Sequence, residues 1–209
     1  MTGPDRADTP ERLAGFAALA VRVAANVQPG QLVALDAAIE QHAAARAVVR
    51  EAYAAGVAAR YPAFDKTQGR PVTLDQRINL CRANHQQATP LPYESRDLLA
   101  LSAFVAHQSR GVAITAGDDP QLKQFVEQGR DLFMQREGQL NLACTNCHDD
   151  NFDKRLAGAP ITQAQPTGYP LYRLEWQTLG SIERRLRSCM SGVRAQAYDY
   201  GSPELVALE

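Results

Sequence analysis

Residues 144–148 read Cys-Thr-Asn-Cys-His, and no other stretch constrains the chain as strongly. C-x-x-C-H is the attachment signature of a c-type haem. Two thiols at this spacing add to the two vinyl groups on one edge of the porphyrin, and the adjacent imidazole then points at the iron. Two other chemistries use paired cysteines. A structural zinc site needs a second ligand pair, and none stands at a suitable spacing. A thioredoxin-like redox pair has no use for His148. The motif therefore predicts one covalent haem c on Cys144 and Cys147, with His148 as an iron ligand.

A haem iron normally takes a sixth ligand. Downstream of the motif the candidates are Cys189 and Met190. Methionine is the common partner in cytochromes c and raises the potential, whereas a thiolate lowers it. Residue type alone favours Met190. Cys189 sits in SIERRLRSCMSGVRA, residues 181–195, with Arg184, Arg185, Arg187 and Arg194 within five residues of it. In a helix Arg185, four residues earlier, shares its face. Nearby cations favour the thiolate and attract a small dianion. The bland reading is a solvated basic helix carrying a buried, inert cysteine.

The totals bound the rest. The 209 residues suffice for one large domain or two small ones. Charge is balanced, 22 basic against 23 acidic side chains, so nothing pulls the whole chain toward nucleic acid or an anionic membrane. Four cysteines are too few to staple a chain of this size. No apolar run reaches membrane-spanning length. The stretch Met1–Arg12 is polar, with three acidic residues and neither a basic n-region nor an apolar core, so no export signal is read in it.

Along the chain, residues 11–27 read as an Ala-rich amphipathic helix, 31–35 as a short strand and 40–55 as a second helix closed by Gly56, an α/β beginning. Residues 58–72 read as loop. Helices are expected over 74–84, over 94–109 before Gly111, and over about 120–137 with Asp119 as cap. Residues 149–171 read as a structured loop, 178–190 as helix, and Ser202-Pro203 opens a last short helix that needs packing to be stable. Trp176, Tyr169 and Tyr172 are expected to line the haem pocket. His42, His85 and His107 are each read as surface or satisfied histidines. Asp149 and Asp150 need no function.

Residues 57–209 resemble SoxA, the cytochrome subunit of the SoxAX complex of bacterial thiosulfate oxidation. The matching stretches are VAARYPAFD, GRPVTLDQRINLCR, YESRDLLALSAFVAHQSRG, GQLNLACTNCHDD, PTGYPLYRLEWQTLGS, RRLRSCMSGVRA and YGSPELVALE. The resemblance implies an L-cysteine S-thiosulfotransferase, in which thiosulfate is joined oxidatively to a cysteine of the SoxYZ carrier and electrons pass to haem. It implies a periplasmic location and a heterodimer with SoxX. It also implies Cys189, carried as a persulfide, as the distal iron ligand. Arg185 is implied as the substrate-binding residue, and Arg194 is a second candidate.

Two departures stand out. Many SoxA proteins carry an earlier C-x-x-C-H, whose haem is ligated by the cysteine matching Cys81; here HAAARAV, residues 42–48, occupies that place. Cys81 is then expected to be a buried small apolar residue. Residues 11–56 instead resemble the beginning of the thermophilic metallo-aminopeptidase (aminopeptidase T) family, through ANVQPGQ and VREAYAAG. None of that family's metal ligands is present, so no peptidase activity is expected.

The expected architecture is mainly α. A short α/β fragment, 1–56, precedes a first SoxA-type segment, 57–118, without a haem motif, and a haem-bearing cytochrome c domain, 119–209. The rival functions are a plain electron-transfer cytochrome ligated by Met190 and a non-functional hybrid chain.

Overall fold

The computed structural model describes residues 9–18, 57–115, 119–165 and 167–209. The expected strand at 31–35 and helix at 40–55 lie outside the described residues, as does His42. By its contacts the chain divides into two units, residues 1–60 with 104–114, and residues 61–103 with 115–209. The second holds the C-x-x-C-H motif and the basic segment.

In the first unit the described part of the N-terminal helix is α1, Pro10–Ala18. A 3₁₀ turn at Val57–Arg60 is tied down where the Ala58 N–H donates to the Ser109 hydroxyl at 3.0 Å.

The second unit opens with a hairpin, β1 (Ala63–Asp65) against β2 (Arg70–Val72), in a stretch that reads as loop. Asp65 makes the turn. Its carboxylate accepts the N–H groups of Thr67 and Gln68, at 2.8 and 2.9 Å. Thr73 then caps α2, Leu74–Gln86, in a reciprocal box with Gln76. Gln76 also reaches across the unit, donating to the Gly201 carbonyl at 3.0 Å. Helix α3, Arg96–Gln108, begins after Ser95, whose hydroxyl accepts the Leu98 N–H. It buries Leu98 and Leu99.

Asp119 caps a 3₁₀ turn that runs into α4, Lys123–Met134. The last helix, α7, is Pro203–Leu208. A six-residue helix has no stability of its own; α7 persists because Leu205 and Val206 are buried. Gly129 explains how closely α4 and α7 cross. A Cβ there would stand 1.9 Å from the Ala207 carbonyl oxygen, so only a hydrogen fits.

Between these helices lie α5 (Cys144–His148), a minimal hairpin β3 (Arg155–Leu156) with β4 (Ala159–Pro160), and a second hairpin β5 (Leu171–Arg173) with β6 (Thr178–Gly180). The expected helix over 178–190 therefore starts later. Its first residues pair as β6, and α6 spans Ile182–Gly192 with Ser181 as cap, its hydroxyl accepting the Arg184 N–H. The chain is mainly helical, as its sequence pattern implies, and among the described residues no helix is long and apolar enough to cross a membrane.

Candidate haem and sulfur site

The C-x-x-C-H residues occupy one short helix, so Cys144, Cys147 and His148 are fixed by local backbone alone. The Ala143 N–H donates to the Asn146 side-chain carbonyl at 3.0 Å, and the Asn151 amide donates back to the Asn146 carbonyl at 2.6 Å. These bonds hold the turn on both sides of the cysteine pair.

His148 Nδ1 lies 2.6 Å from the Thr162 carbonyl oxygen. A carbonyl only accepts, so Nδ1 is the donor in this contact and Nε2 is the nitrogen left to face a metal. A metal-ligating histidine is held in this way, with its other nitrogen anchored on backbone. The β3–β4 hairpin delivers Thr162. Around it the Ile161 N–H donates to the Lys154 carbonyl at 2.9 Å, and the Asp153 N–H to the Ile161 carbonyl at 3.0 Å. Phe133 on α4 lies against the imidazole, with ring centroids 6.2 Å apart. Two thiols one turn apart and an imidazole with a free Nε2 fit the attachment and proximal ligation of a haem c.

Helix α6 is stitched to the segment leading into the motif. The Gln139 and Leu140 N–H groups donate to the Arg194 and Val193 carbonyls, each at 3.3 Å. Gly138 makes this approach possible; a Cβ there would stand 2.2 Å from the Val193 carbonyl oxygen. Cys189 is thereby brought into the electrostatic field of Cys144, whose thiol is pushed up first by burial and then by Cys189 and Glu137. Met190 is covered. It is only 9 % exposed and belongs to the core, about 100° around the helix from Cys189. The residue favoured by type alone is thus a packing residue, and the half-buried Cys189 is the sulfur that shares a neighbourhood with the haem motif.

Of the three arginines inside α6, two have local partners. Arg184 lies over the Trp176 ring, 4.6 Å from its centroid, with its Nη1 at 3.6 Å from a Glu94 carboxylate oxygen. Arg187 lies over Tyr200 at 4.5 Å, and Tyr200 stacks on Tyr93. Among the described residues Arg185 has neither an aromatic ring over it nor a carboxylate within ion-pair distance, and it shares the Cys189 face. Arg194 is exposed, and its φ of 57° places it at the turn that ends α6.

The aromatic residues expected around the haem differ in role. Trp176 is stacked with arginines, and Tyr172 is 54 % exposed on its hairpin. The contribution of Glu183 was not foreseen in the sequence. It is buried at the start of α6, where its carboxylate accepts the Gly201 N–H at 2.7 Å. Burial, with Asp75 and Glu94 nearby, pushes its pKa up to about 7 against the pull of that N–H and Arg187. Only a contact from residue 201 back to residue 183 creates this site, and nothing local in the sequence signals it. Cys81 is half-buried on α2, its thiol pushed up by burial. His85 and His107 are exposed at the ends of α2 and α3.

Fold and motif together define a mainly helical c-type cytochrome domain, whose prosthetic group is covalently bound haem c. Its similarity is to SoxA. Residues 42–114 match the family described as SoxA/TsdA, cytochrome c domain. The L-cysteine S-thiosulfotransferase subunit SoxA of Rhodovulum sulfidophilum is 35% identical over 154 residues, covering 74% of this chain and 54% of that protein. The same subunit from Pseudaminobacter salicylatoxidans is 34% identical, covering 73% and 54%. The crystal structure of SoxXA from P. pantotrophus superposes with a TM-score of 0.71 at 25% identity, covering 78% of this chain and 62% of that one. The chain spans about half the length of these curated relatives. The family match begins at residue 42, upstream of Gly56.

Proposed function

We propose that the chain is the SoxA-type cytochrome of a thiosulfate-oxidising system, acting as an L-cysteine S-thiosulfotransferase subunit. In this reading Cys144 and Cys147 hold one haem c and His148 ligates the iron. Cys189 would be a second iron ligand and is the sulfur that meets substrate. The observation that carries it is the convergence, in one unit, of an anchored His148, a half-buried Cys189 on the helix stitched to the motif's leading segment, and Arg185 on the Cys189 face with no ring or carboxylate paired to it among the described residues.

The chemistry follows from charge. Thiosulfate is a small dianion with a nucleophilic outer sulfur. Arg185 binds its sulfonate end through the planar fork that suits such oxyanions, and Arg194 is the second cation in reach of the same helix end. Held there, the outer sulfur is directed at Cys189, one turn further along the helix. Joining that sulfur to a cysteine thiolate makes one S–S bond and releases two electrons; a haem c held by Cys144, Cys147 and His148 would supply a one-electron acceptor, and the other electron would have to pass on to a second acceptor such as a partner cytochrome. The carrier cysteine must reach the same sulfur, which the half-exposed setting of α6 allows.

Partners and location belong to the same proposal: a heterodimer with a SoxX-type cytochrome, a SoxYZ-type carrier as sulfur acceptor, and the periplasm as compartment. So does the division into residues 57–118 and 119–209 as two cytochrome-like segments, only the second bearing a haem motif. The likeness of residues 11–56 to a metallo-aminopeptidase N-terminus, and with it a hybrid chain joined near Gly56, concerns ancestry and brings no peptidase ligands; the cytochrome family match overlaps its end.

The test is intact mass. Expressed with an added export signal in a host that attaches haem c, the chain should gain one haem, localised to the Cys144–His148 peptide. It should then transfer thiosulfate to a carrier cysteine. A haem-free product, or a haem protein without that transfer, defeats the reading.

A further inference from the structure

A cavity of about 50 Å³ in the second unit is walled by three carboxyl groups, each from a different helix. Asp75 comes from α2, Glu183 from the first turn of α6 and Glu209 from the end of α7. Asp75 accepts the hydroxyl of Ser102 on α3, and Glu183 accepts the Gly201 N–H at 2.7 Å. The second Glu183 oxygen is buried without a hydrogen-bond partner, in a residue only 3 % exposed. Among the described residues that line the cavity there is no lysine, arginine or histidine. The cations nearby are engaged with other groups. Arg187, one turn after Glu183, lies over Tyr200. Arg184 lies 3.6 Å from an oxygen of Glu94, and Glu94, before α3, accepts the Ser181 N–H at 3.2 Å. Arg70 of β2 donates to Gln76.

The two ends of α7 are held differently. Its start is pinned at Gly201. Gln76 donates to the Gly201 carbonyl at 3.0 Å, Glu183 accepts the N–H, and a Cβ at Gly201 would stand 2.0 Å from the Tyr93 hydroxyl. An ionised Glu183 accepts that N–H more strongly, so the pin outlasts a rise in pH. The other end, Glu209, rests in the acidic cavity. There burial pushes all three carboxyls up, and the charges of Glu183 and Asp75 push Glu209 further. Like charges sharing one buried site cannot all ionise while they stay together. A six-residue helix, with little stability of its own, yields first.

We propose that Asp75, Glu183 and Glu209 form a proton-held latch on the last helix. Protonated, they seat the end of α7 against α2 and α6; ionised, they repel one another and release that end, while Gly201 keeps its start in place. Leu208 and Glu209 also wall a larger cavity, of about 380 Å³, which Phe125 and Phe133 of α4 line as well, and Phe133 lies against His148. Release of the latch therefore loosens the packing beside Phe133. None of the three carboxyls is among the groups assigned to haem or thiosulfate, so the latch stands or falls separately from that reaction.

The experiment is amide hydrogen exchange of the haem-loaded full chain at pH 5 and pH 8, each rate divided by the intrinsic rate at that pH. The reporters are the amides bonded within α7, among them Val206 and Glu209, read against those of α2 and α3. Protection of α7 should fall by about tenfold or more from pH 5 to pH 8, and at pH 8 should lie about tenfold or more below that of α2 and α3. Glu209→Gln removes one charge from the cavity and should limit the fall to less than about threefold. Asp75→Asn, whose amide oxygen still accepts the Ser102 hydroxyl, should do the same and stands in if the first variant fails to fold. Glu204→Gln removes a charge from α7 outside the cavity and should leave the fall as in the native chain.

Protection of α7 that does not change with pH overturns the latch. So does a loss of protection that α2 and α3 share to the same level, because the opening is then of the whole fold. A native-sized fall in Glu209→Gln and Asp75→Asn also overturns it. Equal suppression by Glu204→Gln does so too, since the effect would then be one of net charge.

Discussion

Stability of this chain should fall as pH rises through neutrality, and Glu183 is the reason. Its carboxyl is 3 % exposed, with one oxygen bonded to the Gly201 N–H and the other without a partner. The groups facing it are mostly acidic. Asp75 comes from α2, Glu94 from the turn before α3, and Glu209 from the end of α7, against one cation, Arg187. The folded-state pKa near 7 stands about 2.5 units above the 4.5 of an exposed glutamate. Each unit is worth about 1.4 kcal/mol, so ionising Glu183 in the fold costs about 3 kcal/mol. The sign follows from linkage. A group whose pKa is raised on folding gives stability that is complete below its unfolded pKa and is lost as pH climbs through the folded one. The window is about pH 4.5 to 7.5. The same burial raises Asp75, and burial raises Glu209, so both act in the same direction. About 3 kcal/mol is a large share of the 5–15 kcal/mol that holds a typical domain together. Urea unfolding of the haem-loaded protein at pH 5 and pH 8, beside Glu183→Gln, reads it directly. The amide oxygen can still accept the Gly201 N–H, so the variant should lose most of the pH dependence and be the more stable protein at pH 8. Equal midpoints for the native chain at both pH values, or a native chain more stable at pH 8, would refute the reasoning.

Three further outcomes follow from the packing and the site. Gly129→Ala should destabilise by about 2–4 kcal/mol, read by thermal unfolding, because its Cβ would overlap the Ala207 carbonyl and push α4 off α7. Met190→Ala should cost about 2–4 kcal/mol through the cavity it leaves, without changing the visible spectrum of the haem, because Met190 is a core residue. Arg185→Ala should raise the KM for thiosulfate about tenfold or more, with a smaller change in kcat, whereas Arg187→Ala should act mainly on stability, since Arg187 is committed to Tyr200.

Much of this was legible in the chain, for local reasons. The five residues of the haem motif need no tertiary context, and they fold as one short helix. Helix starts were marked by side chains that cap them, Asp119 among those read in advance and Ser202 beside its proline. The first hairpin was missed because β1 and β2 are three residues each and Pro71 sits inside one of them, a pattern that signals loop and is tolerated here only because both strands are edges. Residues 178–180 read as helix in the sequence because their partner, β5, lies across a turn that periodicity does not report. Residue type alone favours Met190 and the family resemblance implies Cys189. The structure adds that the core covers Met190 and leaves Cys189 half-buried, a tertiary fact that supports the proposed assignment to Cys189. The same holds for the arginines. Four similar side chains cluster in the sequence, and only the placement of Trp176 and Tyr200 separates the two that are structural from Arg185.

The most direct test of the account is low-temperature electron paramagnetic resonance of the oxidised haem-loaded protein, comparing the native chain with Cys189→Ala and Met190→Ala. The account predicts a low-spin histidine–thiolate signal that disappears in Cys189→Ala and survives in Met190→Ala. A signal that survives loss of Cys189 and disappears with Met190 would contradict it and leave an electron-transfer cytochrome in its place.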